Sequence, residues 1–407
     1  MKTILASAYA INPYKGSEDG MGWNFALQIA RFNKLIIITR ENNQAAIDKF
    51  MAENPNDLYN NIQFLYFDLP YHLRFWKKGQ RGAMLYYVLW QKGMVKFIEK
   101  QDIKYDIVHN LNFHNDWTPS YLWKLKKPMV WGPIGHHPSL PNDIVTQLSP
   151  IEQKKESFKN KIKNYFWNTS GDLKKTIANS SHILCMNSTV EDVLNLGSKK
   201  HSIMPSVASE DLGYKRNTRI SKGLKVISVG RFVPLKGFDL SIKAFAKFFH
   251  NLPENEKKHS ELILVGDGPE KENYLQLCQQ LEISEKVTFI PWIDRKELLE
   301  LYKTADIFLF PSHEGAGMVV SEAMSFGLPV VCLDNCGPGE FIGSEAGIKV
   351  KFTTYQETVK SLAMSLGFLN NNWLVYNQIS SNARRRFEEK FKWDVRGDEL
   401  RNIYAQL

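Results

Sequence analysis

Short apolar runs alternate with amphipathic stretches along almost the whole chain. The runs at 3–8, 35–39, 62–67, 107–109, 129–131 and 183–186 predict strands in the first half. Those at 225–229, 262–265, 287–290, 307–310, 330–333 and 347–350 repeat the habit in the second. Between them, apolar residues recur at helical spacing, most clearly over 23–32, 240–250, 272–281, 296–304 and 319–326. Strands separated by helices predict parallel sheets with crossover helices on both faces, an α/β class. Two successive sets predict two doubly wound domains. The irregular stretch 205–221 has neither period and marks the join. We place the first domain at 1–205, with a final helix at about 390–407 returning to it, and the second at 206–389. Ligands of such sheets bind outside the carboxyl ends of the strands, so chemistry is sought there.

Composition narrows the class. Of 407 residues, 43% are hydrophobic and 23% charged, a globular balance that excludes disordered and fibrous chains. The net charge of +9 is uneven: residues 1–205 hold 26 Lys and Arg against 17 Asp and Glu, whereas 206–407 hold 26 of each. The positive half calls for an anionic partner. Four cysteines are too few for a disulfide framework and form no zinc pattern, which fits a reducing, cytoplasmic setting. The opening MKTILASAYA has an apolar part too short for a signal peptide and reads as the first strand. The apolar run 83–90 falls far short of a membrane span.

The densest chemistry is HEGAGMVVSEAMSFGLPVV, residues 313–331. A strand ends at Pro311-Ser312, a glycine-bearing loop follows, and a helix opens near Met318. Glycines let backbone approach a ligand closely, and the first N–H groups at Gly317, Met318 and Val319 suit an anion. Glu314 and Glu322, eight positions apart, are placed to accept from hydroxyls on two parts of one extended ligand. In VISVGRFVPLKGFDLSIKAF, residues 226–245, Arg231 and Lys236 follow a strand and form a fork and a point charge for a diphosphate. LVGDGPE, residues 264–270, is a third strand-end turn. Singly, these acids read as a loop charge and a helix surface position, and the cations as solvated side chains. Their ordered occurrence, each at a strand end, favours one site.

GRFVPLKG, LVGDGPE, WIDRKELLELYKTADIFLFPS and EGAGMVVSEAMSFGLPVV together resemble the donor domain of retaining GT-B glycosyltransferases of family four, densely over 225–350 and thinly elsewhere. The pair Glu314/Glu322 matches that family's Glu-x7-Glu signature. The resemblance implies a GT-B fold, two Rossmann-like domains facing across a cleft, and retention at the anomeric carbon without a metal or bound cofactor. It implies that Arg231, Lys236 and the amides of Gly317, Met318 and Val319 hold the diphosphate of a nucleotide sugar. Glu314 would touch the transferred sugar, Glu322 the ribose, and Ile293 would lie beside the base. Ala316 departs from the aromatic residue common at that place.

The first half is less legible. INPYKGSEDGMGW, residues 11–23, reads as a glycine loop running into a helix, and it is no Walker A loop. It resembles the GSE…GMGW loop of a family-four subgroup, which implies that Gly20 and Gly22 close over the donor phosphates. IVHNLNFHNDWTPS, residues 107–120, offers His109 and His114, each of which alone reads as structural. The resemblance puts a histidine before the Pro-Ser pair against the sugar, and we prefer His114, a catalytic candidate with Glu314. WGPIGHHP, residues 131–138, resembles the subgroup's WGPxGG, with His136 and His137 on the acceptor side. Two stretches, 74–100 and 154–167, interleave basic and aromatic residues, which suits either an anionic membrane surface or a soluble outer face over a core helix. No motif supports nucleic acid.

The reading is transfer of a sugar from a nucleotide-diphosphate donor to an oligosaccharide or lipid-linked acceptor in surface polysaccharide or lipopolysaccharide synthesis. The protein is then cytoplasmic or peripheral on the inner membrane face. A nucleotide-sugar epimerase of the same fold and a non-catalytic sugar-nucleotide-binding subunit are the alternatives.

Overall fold

A computed structural model describes residues 1–79, 81–112, 115–146, 148–211 and 222–407. The chain divides into two compact units. Residues 1–136, 159–206 and 393–407 form the first, and residues 137–158 and 207–392 the second.

The first unit is built on seven parallel strands: β1 (Thr3–Ser7), β2 (Lys34–Thr39), β3 (Ile62–Tyr66), β4 (Ile107–Asn110), β5 (Met129–Ile134), β6 (His182–Cys185) and β7 (His201–Ile203), in the order β3-β2-β1-β4-β5-β6-β7. Its central runs are apolar on both faces because helices cover both, as in β2, where Leu35 to Thr39 are all buried. The helix Ala83–Ile98 turns Tyr86, Tyr87, Trp90, Met94 and Ile98 into the core, the spacing of one helical face. The helix Trp393–Ala405 belongs to this unit and packs on the helix Ser17–Ala30. Trp393 meets Phe25 edge-on at 5.4 Å, and Gly397 lies so close that a Cβ there would come within 2.6 Å of Gln28 Oε1. The three-residue edge strand β7 is absent from the predicted set, its half-exposed His-Ser-Ile being too short to show a period.

The second unit carries six parallel strands: β8 (Lys225–Val229), β9 (Glu261–Val265), β10 (Val287–Ile290), β11 (Ile307–Phe310), β12 (Val330–Leu333) and β13 (Gly347–Val350), in the order β10-β9-β8-β11-β12-β13. One face of the sheet is covered by the helices Phe238–His250 and Tyr355–Asn371, whose Phe245, Phe249, Leu362 and Leu366 share a core. Phe232 packs edge-on against Phe238 at 4.7 Å and Tyr274 at 5.6 Å. Burying such rings is worth roughly 1.5–3 kcal/mol each, which anchors the loop that follows β8. In both sheets the order reverses at the first strand of the unit, the arrangement of a Rossmann-like fold.

Candidate active site

In the second unit the chain leaves β8 through Gly230 and the exposed Arg231, then makes a 3-10 turn at Pro234–Lys236. Gly237 ends that turn at φ +67°, and a Cβ there would lie 2.2 Å from the Pro311 carbonyl oxygen. Only glycine permits both the left-handed backbone and that approach. The consequence is local. Lys236 is delivered to the exit of β11, where its Nζ donates to both carboxylate oxygens of Glu314, at 2.7 and 2.6 Å, and lies 5.2 Å from the centroid of the Phe310 ring. Glu314 is only 9% exposed. Burial pushes its carboxyl above the ordinary range, and the Lys236 ammonium opposes that shift.

The segment carrying Glu314 is braced on both sides of that residue. Asn335 donates to the Ser312 carbonyl at 2.8 Å and accepts from the Gly337 and Gly339 N–H groups at 3.1 and 3.2 Å. The Gly315 N–H donates to His137 Nδ1 at 3.1 Å. Gly317 opens the helix Met318–Ser325 without a side-chain cap, so the N–H groups of Met318 and Val319 have no acceptor among the described residues. Glu322 sits on that helix, buried, with Arg295 Nη1 3.4 Å from its Oε1. Burial raises its carboxyl too, against the attraction of Arg295. Ile293, two residues before Arg295, is half-buried against the same core. His313 is buried, its Nε2 has no partner among the described residues, and burial holds its ring down to about 4, so it is neutral near pH 7.

Arg231, Lys236, Glu314, Gly317, Met318, Val319, Ile293 and Glu322 thus all lie on carboxyl-end segments of one sheet. Arg231 has no acidic partner among the described residues, whereas Lys236 and Glu314, assigned to different parts of a ligand from the sequence, pair with each other. Arg295, Asn335 and His313 escaped the sequence reading. Only Asn335, in the turn Asp334-Asn335-Cys336-Gly337, carried a local signal, since Asn favours such side-chain turns.

The first unit places its candidates differently. Gly20 and Gly22 were expected on a loop, but the helix begins at Ser17 and holds both. A Cβ at Gly22 would lie 2.4 Å from the Ala10 carbonyl oxygen and 2.5 Å from Asn112 Nδ2, and at Gly20 2.4 Å from the Lys15 carbonyl oxygen. Close packing of helix on loop explains both glycines. His109 lies on β4, fully buried, its Nε2 donating to the Gly132 carbonyl at 2.8 Å and its Nδ1 accepting from the Tyr404 hydroxyl at 2.6 Å. His114 lies outside the described residues. His136 donates from Nδ1 to the buried Asp116 carboxylate at 2.7 Å and packs near Trp167. His137, read as its neighbour on the acceptor side, belongs to the second unit, on the Gly315 amide.

The basic aromatic stretches are partly core. Tyr86, Tyr87 and Trp90 are fully buried and face no surface. Phe75, Leu85 and Leu89 remain exposed in the first stretch, as do Phe158 and Tyr165 in the second. Among the described residues no helix is long and apolar enough to cross a membrane, and no cluster of three His, Cys, Asp or Glu could hold a metal ion.

Residues 214–386 match the family model described as Glycosyl transferases group 1, so this part of the chain carries such a domain. An uncharacterized glycosyltransferase of Methanocaldococcus jannaschii is 31% identical over 198 residues, 48% of each chain. The match spans about half the length, or less, of the curated relatives. Two solved structures extend the likeness to the whole chain. Anabaena HepE in complex with UDP superposes with a TM-score of 0.63 at 15% identity, covering 100% of both chains. WaaG, a glycosyltransferase involved in lipopolysaccharide biosynthesis, does so with a TM-score of 0.61 at 16% identity, covering 98% of this chain and 99% of that one. At such identity the likeness shows the fold, which is GT-B.

Proposed function

We propose, from the group 1 glycosyl transferase domain of residues 214–386, that this chain moves a sugar from a nucleotide-diphosphate donor to an oligosaccharide or lipid-linked acceptor, with retention, in surface polysaccharide or lipopolysaccharide synthesis. One observation carries the reading: a lysine and a buried glutamate in two-oxygen contact at the carboxyl end of β11, with two uncapped helix N–H groups a few residues on. The UDP held by the structural neighbour HepE supports a nucleotide donor here.

The chemistry follows from those groups. Departure of the nucleotide leaves negative charge on its diphosphate. Arg231, Lys236 and the N–H groups of Met318 and Val319 stabilise it electrostatically, commonly the largest contribution to such catalysis. A diphosphate that takes Lys236 removes the partner of Glu314, which is too buried to stand alone. Hydroxyls of the transferred sugar replace that partner, so an intact nucleotide sugar satisfies the pair where a bare nucleotide does not. Glu322 accepts from ribose hydroxyls in exchange for Arg295. His114, which lies outside the described residues, is the histidine we assign to the sugar.

A panel of UDP-, GDP- and ADP-sugars in thermal unfolding tests this. The true donor at a hundred times its dissociation constant stabilises by about 2.7 kcal/mol. That stabilisation is lost in Arg231→Gln/Lys236→Gln, and transfer is lost in Glu314→Ala and His114→Ala. No stabilisation by any nucleotide sugar overturns the proposal.

A further inference from the structure

The first unit has a crevice at the carboxyl ends of β1 and β2, about 210 Å³ in volume, lined among others by Tyr9, Lys15, Asp19, Arg40 and Lys77. Three of these are cations and one is an acid. Arg40 follows β2 directly. Asp68, almost fully buried, accepts from its Nε at 3.1 Å, one of the guanidinium's five donors. The rings of Tyr9 and Tyr86 flank the guanidinium, with centroids 5.1 and 5.4 Å from its carbon. Tyr86 in turn donates to Asp68 at 2.6 Å, so the whole fork is fixed before any ligand arrives. Arg74 also reaches Asp68, at 3.6 Å, and at the rim Glu41, at 3.6 Å. Neither Lys15 nor Lys77 is within ion-pair distance of a carboxylate among the described residues.

We propose that this crevice binds a phosphate group carried by the sugar acceptor, with the Arg40 fork and the Lys15 and Lys77 ammonium groups as its donors. The proposal rests on the glycosyl transfer reading and names the acceptor's chemical class. A phosphate monoester carries close to two negative charges near pH 7 and three strong acceptor oxygens, which match a planar fork plus two point charges. The crowding of like charge points the same way. Burial, then the neighbouring Arg40 and Arg74 guanidiniums, hold Lys77 below the ordinary lysine range, with Asp68 acting oppositely. Asp19 opposes an anion, and its own carboxyl is raised by burial, with Lys15 countering.

The phosphate has two sources, a sugar phosphate or a lipid phosphate, and separate arms distinguish them. The full chain carrying Arg231→Gln/Lys236→Gln, which removes the two cations assigned to the donor diphosphate, is titrated with inorganic phosphate and with glucose 6-phosphate against glucose. It is also titrated with monomeric short-chain phosphatidic acid against short-chain phosphatidylcholine, which present the lipid phosphate without a membrane surface. Phosphate and at least one phosphorylated arm should bind, and added Lys15→Gln/Lys77→Gln should weaken that binding about tenfold or more, the loss expected for charge-assisted contacts. Arg40→Gln should do the same, and the two lysine changes keep the test valid if that variant fails to fold. Binding that disappears with Arg231→Gln/Lys236→Gln alone, or that ignores Lys15→Gln/Lys77→Gln, overturns the proposal. Nucleotide-sugar titration of the wild type reads the donor proposal by itself, so the two failures are told apart.

Discussion

Replacing Lys236 with Met keeps the stem of the side chain beside Phe310 and removes the charge that faces Glu314. The side chains are 20% and 11% exposed, so the pair is largely out of water. Removing one partner of a buried pair costs about 3–5 kcal/mol, and partial exposure of the ammonium puts this case near 3. A second route to the magnitude agrees. The stranded Glu314 escapes its burial by taking a proton, and from an ordinary value of 4.5 that costs about 3.4 kcal/mol at pH 7 but only about 0.7 at pH 5. The sign is that of a carboxyl raised on folding: its contribution is favourable below the unfolded value and is lost as pH rises through the folded one. Lys236→Met raises the folded value further, so its deficit is largest near neutrality and shrinks on acidification. For a unit of about 200 residues the midpoint should fall by about 6–12 °C at pH 7 and by a few degrees at pH 5. Thermal unfolding of Lys236→Met, Glu314→Gln and the double variant at both pH values measures it. The double variant should regain most of the loss, since no unpaired charge remains. A midpoint within a degree of wild type at pH 7, or a double variant as unstable as the two single losses combined, refutes the reasoning.

Glu322→Gln removes a buried charge whose partner Arg295 is half exposed. It should raise the unfolding midpoint at pH 7 by about 1–3 °C, with the gain vanishing below pH 4.5, where the glutamate is itself neutral, and it should weaken nucleotide binding. A calorimetric scan at pH 7 and pH 4 checks both limbs. Gly237→Ala forces a Cβ against the Pro311 carbonyl oxygen at a left-handed φ and should destabilise by about 2–4 kcal/mol, displacing Lys236 and lowering donor affinity. Denaturant unfolding and nucleotide titration report the two effects. Phe75, Leu85 and Leu89 are exposed in a stretch that also exposes Lys78 and Arg81, so the chain should float with anionic liposomes at low salt and sink after Lys78→Glu/Arg81→Glu. Wild type that stays at the bottom ends the lipid reading.

The alternation of elements was legible because buried parallel strands such as β2 and β12 are short, continuous apolar runs. Boundaries were less so. Gly20 and Gly22 look like loop residues in any window, and only the approach of Ala10 and Lys15 shows why a helix needs them. The acids and cations at the ends of β8 and β11 stood out through their spacing, but their mutual pairing did not, since positions 236 and 314 are joined only by the sheet order. Arg295 was invisible as a partner for Glu322 because a surface-looking Asp-Arg-Lys run announces nothing about what lies across from it. Similarly, whether His109 is structural turns on Tyr404, which no local pattern connects to it.

That last contact bears on how the protein is made. During synthesis the seven-stranded unit begins first, yet the hydroxyl that satisfies the buried imidazole of β4 emerges 295 residues later. A nascent chain halted before Trp393 therefore holds an early domain with a gap along the helix Ser17–Ala30 and a polar ring lacking one partner. The ordinary order, in which the leading domain settles before its successor appears, does not apply: the domain that starts first is completed last.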